Sequence, residues 1–222
     1  MPNIAFLYLK INNLSGGIPQ NLSNLSSLQQ LSLTSNMLSN TLPSNFGYAL
    51  PNLELLYLGN NMFEGHIPAS LGNASGLVEL DLANNKFTGQ IPNIFGKFPG
   101  LSYLNLESNM LEASDNAGWE FIDALTNCSS LSVLSLATNN LQGIFPNSIT
   151  KLSNLTYLLL SDNRLSGIVP SNIGRLNGLI ELDLGANNFT GTIVEWILNL
   201  TSLQRLYLNG NYFVGTIYSS FH

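Results

Sequence analysis

Charge, cysteine and histidine are scarce in this chain. Charged residues make up 9% of its 222 residues, against about 25% in ordinary soluble domains. The net charge is −6 and the pI is about 4.7, so electrostatic attraction to a nucleic-acid backbone is absent. The single cysteine, Cys128, cannot form an internal disulfide, and a metal site would need several ligands. We therefore expect no metal, no cofactor and no nucleic-acid partner.

Long apolar runs and targeting signals are also missing. No run approaches the roughly 18 apolar residues of a membrane span. The start of the chain, Met1-Pro2-Asn3-Ile4, has neither the basic region nor the cleavage pattern of a signal peptide. The sequence therefore predicts no membrane span and no signal peptide within these residues.

Leucine and asparagine are abundant instead: 43 Leu and 31 Asn make one third of the chain. They follow the pattern L-x-x-L-x-L-x-x-N-x-L, which recurs every 24 or 25 residues with one step of 30. Such a period indicates a solenoid of stacked coils. We expect one domain over residues 1–222 with about 8.5 repeats, which start at Ile4, Leu28, Leu53, Leu77, Leu101, Leu131, Leu155, Leu179 and Leu203.

The spacing within each repeat predicts how the coil faces. Leu80 and Leu82 are two residues apart, so they share one face of a strand, and Glu79 and Asp81 share the other. The strands stack as a parallel sheet, and each coil buries its leucines against the next coil.

One asparagine of each repeat lies where the chain leaves the strand and turns. The turn frees backbone groups that would cost about 1–3 kcal/mol each if they were buried unpaired. An amide side chain offers both a donor and an acceptor, so stacked amides can satisfy them. We assign a structural role to this ladder, formed by Asn12, Asn36, Asn61, Asn85, Asn109, Asn139, Asn163, Asn187 and Asn211.

A second signature follows the ladder asparagine, as in FEGHIP from Phe63, FTGQIP from Phe87 and LSGIVP from Leu165. With it, the sequence resembles the plant-specific leucine-rich repeat class over essentially its whole length. The resemblance implies an α/β right-handed superhelix with a parallel inner sheet and a convex side of short strands, turns and 3-10 or helical pieces. Members of that class are extracellular receptor-like kinases, receptor-like proteins and secreted inhibitors of microbial wall-degrading enzymes.

The repeat at residues 101–130 is irregular and lacks the Gly-x-Ile-Pro signature. Four of its residues have helical spacing: Trp119, Phe121, Ile122 and Leu125. We expect a short convex helix, capped by Asp115 or Asn116, to replace the second strand here. The segment resembles one in the receptor-like serine/threonine kinases of the subfamily that senses bacterial peptides and proteins.

The concave face is the expected binding surface, because solenoids bind along extended concave surfaces. Seven of the thirteen acidic residues and only two of the seven bases point to it, interleaved with tyrosines. This favours a basic or polar peptide, and about 11 or 12 extended residues would cross the roughly 38 Å of nine strands. The alternative is a merely solvated sheet face. The candidate binding residues are Tyr57, Glu79, Asp81, Tyr103, Asn105, Glu107, Tyr157, Asp162, Glu181, Asp183, Arg205 and Tyr207.

Eight asparagines stand in N-x-S/T sequons, which accept N-linked glycans in secreted proteins. Composition alone is the alternative explanation, since Asn and Ser are so common here. The glycosylation candidates are Asn13, Asn21, Asn24, Asn73, Asn127, Asn154, Asn188 and Asn199.

Catalysis is not expected. The two ELDL segments place carboxylate pairs four strand steps apart, roughly 19 Å, whereas a two-carboxylate hydrolase needs about 5–10 Å. His66 and His222 have no candidate nucleophile or metal partner. Cys128 is expected to be a buried filler, and Trp119 and Trp196 are expected to be packing residues.

The resemblance implies the ligand-sensing region of a plant cell-surface receptor kinase in defence or developmental signalling. It would lie outside the plasma membrane or in the apoplast, with a peptide or protein ligand and a leucine-rich repeat co-receptor. Terminal cysteine caps are absent, which suggests an excised fragment or a truncated gene product. Two alternatives remain open: a secreted or membrane-tethered inhibitor of a wall-degrading enzyme, and a non-functional truncated receptor copy.

Overall fold

The computed structural model of the protein describes residues 3–216. Within these residues, two parallel sheets of nine strands each form the solenoid. The first sheet takes one three-residue strand from each coil. Its strands are β1 (Phe6–Tyr8), β3 (Gln30–Ser32), β5 (Leu55–Tyr57), β7 (Glu79–Asp81), β9 (Tyr103–Asn105), β11 (Val133–Ser135), β13 (Tyr157–Leu159), β15 (Glu181–Asp183) and β17 (Arg205–Tyr207).

The second sheet takes the segment that follows the ladder asparagine in each coil. Its strands are β2 (Ser15–Gly16), β4 (Met37–Thr41), β6 (Met62–Gly65), β8 (Lys86–Gln90), β10 (Met110–Ala113), β12 (Asn140–Ile144), β14 (Arg164–Ile168), β16 (Asn188–Gly191) and β18 (Tyr212–Phe213). Short helices complete the coils: α1 (Phe46–Ala49), α2 (Glu120–Leu125), α3 (Val194–Ile197) and 3-10 helices at Gln20–Asn24, Ala69–Asn73, Phe95–Lys97, Asn147–Lys151 and Ser171–Arg175. None of the described helices is long and apolar enough to span a membrane.

The core lies between the two sheets and the helices. Leu80 in β7 and Leu104 in β9 are fully buried and paired in register, and the same column continues through the sheet. A second buried column is aromatic where Phe63 stacks on Phe87 with ring centroids 6.4 Å apart. The predicted α/β solenoid is therefore confirmed, because each coil hides its apolar side chains against its neighbours.

The chain leaves the first sheet through a left-handed residue directly before each ladder asparagine. In the described coils, the non-glycine residues at this position have φ between 47° and 57°. L-residues visit this region rarely. The conformation persists because the ladder asparagine holds the turn on both sides, as Asn163 illustrates.

Asn163 is buried and bonds to two coils. Its Nδ2 donates to the carbonyls of Leu160 at 3.2 Å and Ser161 at 3.1 Å in its own coil, and to that of Leu136 in the preceding coil at 3.0 Å. Its Oδ1 accepts the backbone N–H of Leu141 at 3.0 Å. One side chain thus closes its own turn and joins two coils.

The second sheet is staggered, whereas the first is in register. Glu64 pairs with Lys86, and Gln142 pairs with Arg164, so each strand is offset by two residues from the same position in the next coil. Glycines such as Gly89, with φ 75°, lie in these strands where a left-handed residue is needed.

The irregular repeat corrects one expectation. The helix α2 is present, but it does not replace the second strand, because β10 pairs with both β8 and β12. Leu111 keeps the buried position of that strand, which explains why the strand survives. The capping expectation was also wrong: α2 has no side-chain cap, and Asp115 instead accepts the N–H of Gly118 at 2.8 Å in the preceding turn.

Aromatic side chains anchor α2 as expected. Trp119 is buried, stacks on Phe121 at 5.8 Å and meets Phe145 edge-on at 5.6 Å. Its Nε1 donates to the carbonyl of Gln142 at 3.2 Å. Trp196 and Cys128 are buried as well, so all three are packing residues.

We predict that Asn163→Ala lowers the free energy of unfolding by at least about 2 kcal/mol, because it leaves buried backbone groups in two coils without their hydrogen-bond partner. Urea denaturation followed by circular dichroism measures the loss. The matched control is Asn177→Ala, since Asn177 is exposed and lies outside the ladder. Equal effects of the two substitutions would show that the ladder bonds contribute nothing.

Candidate ligand-binding surface

The candidate binding surface is the side of the first sheet that points away from the core, which we call the concave face. Strand alternation creates it: in β7, Leu80 is fully buried while Glu79 and Asp81 point outward and are half-buried. In-register pairing then places Asp81 beside Asn105 of the next coil, and Glu79 beside Tyr103.

The middle of this face carries what we call the central cluster: Tyr57, Glu79, Asp81, Tyr103, Asn105 and Glu107. Tyr57 donates its hydroxyl hydrogen to Glu79 Oε2 at 2.5 Å. Asn105 Nδ2 donates to the Tyr103 hydroxyl oxygen at 3.1 Å. One bond between β5 and β7 and one bond within β9 thus hold side chains of the central cluster in place.

Ser135 is a neighbour that the sequence-based candidate set did not include. Its buried hydroxyl donates to Glu107 Oε2 at 3.1 Å and fixes that carboxylate from the adjacent coil. The repeat register could have identified it, because Ser135 occupies the same position in its coil as Asn105.

Some candidate residues also have a structural role. Asp81 Oδ1 accepts the backbone N–H of Ala83 at 3.0 Å, and Asn105 Oδ1 accepts that of Glu107 at 3.1 Å. Asp183 makes the same bond to Gly185 at 2.9 Å. Each is an Asx turn that closes the end of its strand. A second carboxylate oxygen still remains for a ligand at Asp81 and Asp183.

Negative charge is concentrated in the central cluster. Burial raises the pKa of Asp81 above its usual value, and the carboxylate of Glu107 adds to this increase. Burial also raises the pKa of Tyr57, with further contributions from the hydrogen bond to Glu79 and its charge. The pKa of Tyr103 is raised as well, because its hydroxyl is desolvated and lies near Asp81. These tyrosine hydroxyls are therefore protonated at neutral pH.

A second group on the face is electrically balanced. Arg205 Nε donates to Glu181 Oε2 at 2.6 Å, and Nη2 approaches the same oxygen at 2.5 Å. The guanidinium lies 5.8 Å from the ring centroid of Tyr157. This is the one ion pair within residues 3–216. Glu181 is thus neutralised, whereas the carboxylates of the central cluster have no such partner.

The remaining candidates are separate from both groups. Asp162 is exposed and occupies the left-handed turn before Asn163, outside the strands. Tyr207 is exposed on β17, beside Asp183. The sequence-based set therefore divides into a central cluster, a balanced Arg205 group and peripheral residues.

Residues with other chemistry lie away from the concave face. His66 is exposed beyond β6, and its Nδ1 lies 3.1 Å from the carbonyl oxygen of Thr88. Burial raises the pKa of the Cys128 thiol to about 11, so it is protonated at neutral pH. Within residues 3–216, no group of three or more His, Cys, Asp or Glu side chains could hold a metal ion. His222 lies outside the described residues.

Family models match most of the chain. The model described as leucine rich repeat matches residues 51–111, 122–165 and 153–213, and a second model of the same description matches residues 27–49. No protein with a curated description matches the sequence.

Solved structures share the fold. The complex of PEPR1 with AtPEP1 is 32% identical with a TM-score of 0.91, and the match covers 99% of this chain and 30% of that one. The Arabidopsis receptor kinase HAESA, solved with the peptide hormone IDA and the co-receptor SERK1, is 27% identical with a TM-score of 0.75, covering 96% and 39%. A plant ice-binding protein is 29% identical with a TM-score of 0.80, covering 97% and 67%.

We predict that Asp81→Asn raises the thermal midpoint by a few degrees at pH 7. The folded-state pKa of Asp81 is raised, so its stabilising contribution is complete below the usual aspartate pKa. That contribution is lost as the pH rises through the raised value. Asparagine keeps the acceptor for the Ala83 N–H, and the gain should vanish at pH 3.

Calorimetry at pH 7 and pH 3 checks this prediction. Asp183→Asn is the matched control, because Asp183 makes the same backbone bond outside the central cluster. If both substitutions gave the same gain, crowding of carboxylates in the central cluster would not be its source.

Proposed function

The chain belongs to the leucine-rich repeat family, and we propose that its concave face binds an extended, basic or polar peptide. In this proposal the chain is part of the ligand-sensing ectodomain of a plant cell-surface receptor kinase. The observation that carries it is the central cluster, where three carboxylates and two tyrosines are presented on one half-buried surface. The chain itself performs no catalysis.

Similarity to receptor ectodomains supports the proposal that this chain is part of a receptor. PEPR1 was solved with AtPEP1, and HAESA with a peptide hormone and the co-receptor SERK1. The present chain spans 30% and 39% of those chains. Kinase activity, attachment to the plasma membrane, a leucine-rich repeat co-receptor and a role in defence or development therefore belong to the proposal for the whole protein.

We propose a cationic ligand because, within residues 3–216, the carboxylates of the central cluster have no cationic partner. Glu181 already neutralises Arg205, so it offers little to a cationic ligand. Glu79, Asp81 and Glu107 accept hydrogen bonds only from neutral groups. A lysine or arginine side chain over the central cluster would gain charge-assisted bonds, with tyrosine rings beside it for stacking.

The fold alone does not choose this ligand, because a similar solenoid serves as an ice-binding protein. The argument therefore rests on the central cluster. Half-buried carboxylates that lack a counter-ion are costly to keep, and a cationic partner would relieve that cost.

A random library of 12-residue displayed peptides provides the probe. We predict enrichment of peptides with lysine or arginine near the middle, and three- to tenfold weaker binding of these peptides to Glu79→Gln. Glutamine keeps an acceptor for the Tyr57 hydroxyl and removes only the charge. Fluorescence anisotropy with the enriched peptides measures the change.

The control for this prediction removes the balanced ion pair as a unit. Glu181→Gln combined with Arg205→Gln leaves the net charge of the face unchanged, and we expect affinity within twofold of wild type. Enrichment of acidic peptides, or equal losses in the two variants, would contradict the assignment of the central cluster.

A pair of introduced glycans tests the surface itself. Val133→Asn creates Asn-Leu-Ser on the concave face, and Lys151→Asn creates Asn-Leu-Ser on a convex 3-10 helix of the same repeat. We predict that a glycan at position 133 abolishes binding of the enriched basic peptides, because it covers the sheet beside Tyr103. A glycan at position 151 should leave binding intact. Binding that survives the glycan at position 133 would rule out the concave face.

A further inference from the structure

Two neighbouring strands of the concave face, β11 and β13, carry no charged side chain. Val133 and Ser135 occupy the outward side of β11, and Tyr157 and Leu159 occupy that of β13. The pairing places Val133 beside Tyr157 and Ser135 beside Leu159. We call Val133, Tyr157 and Leu159, all of them half-buried, the apolar patch. Val133 and Leu159 lie outside the sequence-based candidate set.

Leu159 is the residue of the apolar patch that the fold explains least. It stands at the strand position where Asp81, Asn105 and Asp183 each close an Asx turn in their own coils. A leucine cannot make that bond, and this one lies on the outward side of the sheet instead of in the core. Within residues 3–216 it is the one aliphatic side chain at this strand position. Its apolar surface is therefore available to a ligand.

We propose that the apolar patch binds an aliphatic or aromatic side chain of the same peptide whose basic side chain lies over the central cluster. This inference rests on the proposed function, because the peptide and its basic residue are taken from there. It adds a second recognition element, so that charge and apolar contact together select the ligand.

The apolar patch and the central cluster form one continuous surface. Tyr103 of the central cluster lies directly beside Val133 of the apolar patch. Ser135 lies in the row between Asn105 and Leu159. Its side chain is buried and its hydroxyl donates to Glu107, so it adds no exposed polar group between the two surfaces. A single peptide can therefore contact both surfaces without leaving the sheet.

The distance between the two surfaces sets the spacing of residues in the peptide. The central cluster is centred on β7 and β9 and the apolar patch on β11 and β13, which is a separation of two strand steps, roughly 10 Å. A peptide in the polyproline II conformation places residues i and i+3 on one face about 9 Å apart. A β-extended peptide places residues i and i+4 on one face about 13 Å apart. We therefore expect the apolar residue three or four positions from the lysine or arginine.

The opposite side of the central cluster offers no comparable surface. Leu55 is half-buried and points outward beside Glu79, but its other neighbour is Gln30. The next position along that strand is Ser32, beside Tyr57. Leu55 is thus a single aliphatic side chain bordered by polar ones. The apolar residue of the peptide is therefore expected on the side of β11.

The test uses the full chain and the basic peptides enriched from the library of 12-residue displayed peptides. We expect these peptides to share an aliphatic or aromatic residue three or four positions from the lysine or arginine. Alanine at that peptide position should weaken binding to the wild-type protein about tenfold. The same peptide change should weaken binding to Leu159→Ser by less than about twofold, because the surface that it contacts is already lost. Fluorescence anisotropy measures the four affinities.

Two variants serve as controls. Leu55→Ser is the matched one, since Leu55 is half-buried on the same face at the other side of the central cluster, and we expect affinity within about twofold of wild type. Leu159→Met keeps an apolar side chain of similar volume and should also bind within about twofold of wild type. Its retained binding would show that the loss in Leu159→Ser comes from the apolar patch and not from damage to the fold.

The outcomes separate this inference from the proposed function. Enriched basic peptides that lack the apolar residue, or full affinity of Leu159→Ser for them, would overturn the role of the apolar patch and leave the proposed peptide site intact. Equal losses in Leu55→Ser and Leu159→Ser would overturn it as well. Peptides that depend on Leu159 but not on Glu79, or a library without any enriched peptide, would overturn the inference together with the proposed function.

Discussion

The amide ladder is the interaction on which the rest of this structure depends. Each coil turns away from the first sheet through a left-handed residue, which L-amino acids adopt reluctantly. The following asparagine compensates by bonding its own turn and the preceding coil, as Asn85 does to Leu82 and Leu58. Because the amide supplies donors and an acceptor at once, the turn does not depend on any one outward-facing strand side chain. Asp81, Asn105 and Asp183 add an Asx bond in three of the described coils.

This independence explains how one motif can serve different purposes in different coils. The segments Glu79–Asp81 and Glu181–Asp183 have the same sequence and the same backbone position. Their surroundings differ because cross-strand partners come from neighbouring coils. Glu79 accepts a hydrogen bond from the Tyr57 hydroxyl, whereas Glu181 forms an ion pair with Arg205. The chemical character of each carboxylate is therefore a property of three adjacent coils.

The dependence of each side chain on the neighbouring coils also limits what could be predicted from the sequence. Spacing was sufficient for the inward leucines and for the in-register first sheet, because both follow from a fixed period. It could not separate Glu181 from Glu79, since pairing depends on side-chain geometry across coils. It also missed Ser135 as a partner of Glu107. The helical spacing of α2 led to the expectation that no second strand forms in this repeat, although the buried Leu111 keeps β10 in its column.

The central cluster contains a charge that lowers the stability of the fold. Asp81 has a raised pKa because it is desolvated and lies near another carboxylate, so its ionisation opposes folding at neutral pH. Asn105 occupies the equivalent position in the next coil and closes the same turn without a charge. The turn therefore does not require the carboxylate at position 81. A charge that the fold does not need and that weakens it supports the proposal that this position serves recognition. The pair of Glu181 and Arg205 shows that the same surface can balance its charges elsewhere.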